Sequence, residues 1–103
     1  MQFTDSDDGH EIQVRVGDTF EVSLSETRTT GFSWSIKSVG EPVCSIVADS
    51  FANPSTTPGR SGTHQWTFKV DQPGSATIEL HYARQWQKSA PARTYTLRIR
   101  AGA

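Results

Sequence analysis

Residues 65–82 read Gln65-Trp66-Thr67-Phe68-Lys69-Val70-Asp71-Gln72-Pro73-Gly74-Ser75-Ala76-Thr77-Ile78-Glu79-Leu80-His81-Tyr82. Apolar side chains fall on every second position on both sides of Gln72-Pro73-Gly74. A period of two is that of a β-strand with one buried and one wet face. Proline pre-sets φ and glycine tolerates unusual backbone angles, so the interruption reads as a tight turn. The same period recurs outward in both directions. Phe20, Val22 and Leu24 alternate with Thr19, Glu21, Ser23 and Ser25; Tyr95, Leu97 and Ile99 alternate with Thr94, Thr96, Arg98 and Arg100. Ile12, Val14 and Val16 precede a Gly17-Asp18 turn, Phe32, Trp34 and Ile36 form another run, and a weaker one spans residues 44–48. No window carries a helical period with caps. About seven to eight short strands separated by turn signals predict an all-β, immunoglobulin-like antiparallel β-sandwich.

A chain of 103 residues has room for one core. Hydrophobic content is a modest 34%, but three Trp, five Phe and two Tyr supply enough volume for a thin two-layer interior. Residues 1–10 are polar and acidic and are expected as a loosely ordered arm. Residues 11–103 are expected as the single sandwich domain. A net charge of −1 favours neither nucleic acid nor membrane as partner. Acidic residues crowd the first half of the chain and basic ones the second, but strands from both halves interleave in a sandwich. Cys44 is the only cysteine, so no internal disulfide forms, and its neighbours Val43, Ile46 and Val47 predict a buried thiol. Met1 as the native start implies a cytoplasmic protein; a removed leader implies a periplasmic or secreted one. His10, His64 and His81 lack metal-ligand spacing, and no nucleophile sits beside a base. Neither an enzyme, a metal site nor a cofactor is therefore expected, and a monomer is the expected state.

Three connections are long: about Glu26 to Gly31, Phe51 to Gly62, and Arg84 to Ala92. If consecutive strands alternate in direction, all three lie at one end of the sandwich, where a rigid scaffold can present recognition loops. The first carries Thr29-Thr30-Gly31-Phe32, a narrow tip in which Gly31 permits close backbone approach. Its plainer reading is turn geometry at Gly31 and a core strand beginning at Phe32. The second carries Gly59-Arg60-Ser61-Gly62 and is long for so small a domain. The third carries Arg84-Gln85-Trp86, with Trp86 either an exposed anchor or folded back over the sandwich end against Arg84. Arg28, Arg60 and Arg84 place an arginine in each loop.

Together these motifs resemble the chagasin-type inhibitors of papain-like cysteine proteases. That family carries Asn-Pro-Thr-Thr-Gly-Tyr/Phe, then Gly-x-Gly-Gly, then Arg-Pro-Trp in the three corresponding loops. Here they stand as Thr27-Arg28-Thr29-Thr30-Gly31-Phe32, Gly59-Arg60-Ser61-Gly62 and Arg84-Gln85-Trp86, in the family's order over about residues 11–100. Thr27-Arg28, Ser61 and Gln85 depart from the pattern, and two lost prolines leave their loops less preorganised. The resemblance implies reversible, competitive occlusion of a protease cleft, with Thr29, Thr30 and Gly31 over the catalytic cysteine. It also implies that Ser61 and Gly62 pair with protease backbone, while Arg84 and Trp86 pack on the other side. The rival is a non-inhibitory immunoglobulin-like binding or adhesion module. It predicts an exposed aromatic row on a sheet face, whereas the outward positions hold Glu21, Lys69, Glu79, Arg98 and Arg100.

Overall fold

Each apolar row needs a second layer to cover it, and the chain meets that need with two four-stranded sheets packed face to face. The computed structural model describes residues 1–26, 32–52, 62–84 and 91–103. Among them are β1 (Gln2–Phe3), β2 (Glu11–Arg15), β3 (Thr19–Glu26), β4 (Phe32–Ser38), β5 (Cys44–Ala52), β6 (Gly62–Val70), β7 (Gly74–Arg84) and β8 (Arg93–Gly102). One sheet has the order β1-β3-β6-β5 and the other β2-β8-β7-β4. The long strands pair antiparallel, while the N-terminal edge strands β1 and β2 add in parallel to β3 and β8.

The alternating rows form the interior as expected. Phe20, Val22 and Leu24 of β3 and Trp66, Phe68 and Val70 of β6 are buried, opposed by Ile78, Leu80, Tyr95, Leu97 and Ile99 of the second sheet. Phe20 and Phe68 are register partners, and their rings stack with centroids 5.3 Å apart. The Gln72-Pro73-Gly74 turn does not close a hairpin: β6 belongs to one sheet and β7 to the other. Gly74 has φ +140, and a Cβ there would stand 3.2 Å from Val43 Cγ2, so both backbone and space call for glycine.

Among the described residues four large apolar side chains are exposed, Met1 at the chain start and three further along. Val16 lies in the turn after β2, and Ile46 and Val47 are exposed on β5, an edge strand whose register shifts between Ile46 and Ala48. Such an irregularity breaks the strict inward–outward alternation.

The first ten residues, expected as a loose arm, are strapped to the sandwich instead. Gln2 and Phe3 pair with Glu21 and Val22, and Asp5–Asp7 form one 3-10 turn. Gly9 N–H donates to Thr96 O at 2.7 Å, Thr96 N–H to Asp8 Oδ1 at 2.8 Å, and the Tyr95 hydroxyl to Thr4 O at 3.0 Å. An open strand edge attracts a partner through its unpaired backbone groups, which overrides the segment's polar composition. Burial, then the charges of Asp7, Asp8 and Asp5, push the Tyr95 phenol pKa up.

Cys44 is fully buried. Burial, reinforced by the Asp71 charge, pushes its thiol up to about 11 from an ordinary 9.0. The folded state therefore holds this proton more tightly than the unfolded one. Stability is full below about pH 9 and declines as pH rises towards about 11. Alkylation by iodoacetamide at pH 8, followed by mass spectrometry, is expected to be slower by about a hundredfold in the native protein than in guanidinium. Equal rates would show an accessible thiol.

Candidate functional site

Strand register brings the three long connections together. In one sheet Glu26 pairs with Gly62 and Ala52 with Thr63; in the other Phe32 pairs with Arg84 and Tyr82 with Arg93. Bonds between the sheets join these ends, since Trp34 Nε1 donates to Ser25 O at 2.9 Å. The short turns gather at the opposite end, where Val70 N–H donates to Asp18 O at 2.9 Å and Asp71 N–H to Val43 O at 2.8 Å. The roots of all three loops thus lie at one end of the sandwich.

Of the residues singled out in the sequence, Phe32, Gly62 and Arg84 lie within the described structure. Phe32 and Arg84 are register partners, with the guanidinium carbon 4.8 Å from the ring centroid. This cation–π contact joins the root of the first loop to that of the third. Beneath it, Phe32 stacks on Tyr82 at 5.4 Å, Tyr82 meets Trp34 at 5.0 Å, and the Arg93 guanidinium lies 5.5 Å over the Trp34 ring. The inner aromatic row therefore continues out of the core to the loop end, where two arginines cover it. Phe32 begins a strand, as its plainer reading had it, yet it also faces the loop end. Gly62 is buried opposite Glu26. Arg28, Thr29, Thr30 and Gly31 of the first loop, Gly59, Arg60 and Ser61 of the second, and Gln85 and Trp86 of the third lie outside the described residues.

Sequence reading missed a polar cluster under the loops. Glu26 ends β3 and is 1% exposed; Oε1 accepts from Trp34 N–H at 2.6 Å. The Nδ1 of His64 stands 3.3 Å from that same oxygen, and its Nε2 contacts Asp49 Oδ1. The His64 ring lies flat on Trp66, centroids 3.9 Å apart, with Phe51 edge-on at 6.2 Å. The signal was present in the phase: Glu26 continues the inward row Phe20, Val22, Leu24, and His64 precedes Trp66, Phe68, Val70. A polar residue in an inward phase must find a partner, and these two find each other. Among the described residues no group of His, Cys, Asp and Glu is arranged to hold a metal ion.

An immunoglobulin-like sandwich whose three long connections are rooted at one end is a loop-presenting binding scaffold. The family described as Chagasin family peptidase inhibitor I42 matches residues 13–99, and the chain belongs to this family. It is thus a peptidase inhibitor and not an enzyme. Amoebiasin-1 of Entamoeba histolytica is 31% identical over 101 residues, which cover 96% of this chain and 97% of that protein. The crystal structure of the cysteine protease inhibitor EhICP2 from Entamoeba histolytica matches with a TM-score of 0.87 at 24% identity, covering 98% of this chain and 94% of that one. PbICP-C, solved in complex with falcipain-2, matches with a TM-score of 0.72 at 17% identity, covering 99% of this chain and 90% of that one.

Proposed function

We propose that this protein inhibits papain-like cysteine proteases reversibly and competitively, by laying its three loops across the active-site cleft. The observation that carries the reading is the convergence of the loop roots at one end, each leading into one of the three segments on which the resemblance rests. Thr29, Thr30 and Gly31, flanked by Arg28 and Phe32, form the central plug. A narrow glycine-containing tip can approach the catalytic cysteine without presenting a scissile carbonyl to it. Gly59, Arg60, Ser61 and Gly62 supply backbone groups to one side of the cleft. Arg84, Gln85 and Trp86 supply the other side, with the indole as apolar anchor. No covalent step is involved.

Steady-state inhibition of papain and cathepsin-L-like enzymes tests the proposal. Inhibition that is relieved by added substrate and by dilution is expected. No inhibition of any of them by micromolar protein overturns it.

A further inference from the structure

The cluster beneath the loops lies deeper than the proposed contact surface, yet it touches the roots of two of the three loops. Glu26 is the last residue before loop 27–31, and Trp34, which donates its N–H to the Glu26 carboxylate, is the third residue after it. A single side chain therefore ties the outgoing strand to the incoming one across the two sheets. Trp34 Nε1 on Ser25 O is a second tie at the same place. From Glu26 the contacts continue through His64 to Asp49, on β6 and β5, the two strands that flank loop 53–61. Trp66 and Phe51 hold the imidazole plane.

A buried carboxylate is a poor way to stabilise a fold, because desolvation offsets most of what its partners return. An apolar residue would continue the row of Leu24 at lower cost. What a carboxylate does that an apolar residue cannot is accept a directed hydrogen bond, here from a backbone N–H of the opposite sheet, while the same oxygen meets a ring nitrogen on the neighbouring strand. We propose that Glu26 and His64 are positioning residues of the inhibitor. They fix the separation of the two ends of loop 27–31, and the offset of that loop from loop 53–61, without touching the protease. The proposal rests on the inhibitory reading above.

Three variants test it: Glu26→Ala, which removes the acceptor; Glu26→Gln, which keeps an oxygen for Trp34 N–H; and His64→Phe, which keeps the stack on Trp66 but no ring nitrogen. Inhibition of papain, thermal unfolding and amide hydrogen exchange are measured on each. Glu26→Ala and His64→Phe are expected to weaken inhibition by about tenfold, through faster dissociation, while Glu26→Gln stays within about threefold of the parent. Exchange is expected to rise in peptides covering 26–34 and 51–63 and to stay unchanged in 95–101, which a general loss of stability would not produce. If Glu26→Ala fails to fold, Glu26→Gln and His64→Phe carry the comparison. A parent protein that inhibits, with Glu26→Ala or His64→Phe inhibiting equally well, overturns this proposal alone. A parent that inhibits none of the enzymes overturns the inhibitory reading and this proposal with it.

Discussion

Trp66→Ala is expected to cost the fold about 3–5 kcal/mol, the usual range for emptying a large aromatic site in a core. Trp66 is 1% exposed and sits at the middle of β6, between Val22 on one neighbouring strand and Asp49 on the other. Its indole is part of the buried core between the sheets, and emptying a close-packed site leaves a cavity. It also carries the His64 ring at 3.9 Å, so the polar cluster loses its floor. A domain of this size has roughly 5–15 kcal/mol of stability in all, so the loss is a large share of it. Thermal unfolding should move down by on the order of 15 °C, and the urea midpoint should fall without a change in slope. A loss below about 1 kcal/mol would mean that the two sheets close over the gap.

Trp86→Ala is expected to give the opposite pattern. As the anchor of the third loop it should carry about 2–4 kcal/mol of the binding energy, which is roughly 30-fold to 1000-fold in inhibition. Thermal unfolding should shift by no more than about 2 °C, since exposed aromatic side chains contribute little to stability. Paired measurement of inhibition and melting decides between the two readings of this residue. A drop in stability comparable to that of Trp66→Ala would assign Trp86 to the sandwich end, packed beside Arg84 and Phe32. The anchor reading would then fail, and the third loop would present Arg84 and Gln85 alone.

Much of the fold was legible because β-strand period is a local property. Phe20, Val22, Leu24 and Trp66, Phe68, Val70 announced their buried face from spacing, and both rows are buried. Cys44 was legible from its apolar neighbours. The N-terminal arm was not: nothing local in Gln2-Phe3 tells of an open edge on β3 waiting for two more backbone bonds. Nor were Ile46 and Val47, whose exposure follows from an edge position and a register shift rather than from composition. The loop motifs were legible as motifs, through a resemblance that the family match bears out. The cluster of Glu26, His64 and Asp49 escaped because its members are far apart in sequence and unremarkable one by one.

By itself, then, the sequence determined which apolar residues of the long alternating rows turn inward, where the chain turns, and which three connections are long enough to present a surface. These follow from alternation, glycine and proline, all of them properties of a few neighbouring residues. Tertiary structure alone decided which strands pair, and so sent β6 and β7, adjacent across a tight turn, into different sheets. Backbone N–H and C=O groups are chemically alike along every strand, so local sequence cannot choose among partners. The choice is made by how two whole layers bury their rows against each other. That same choice brings Glu26 beneath one loop and His64 beside another, into hydrogen-bond reach at the end where the inhibitor is proposed to act.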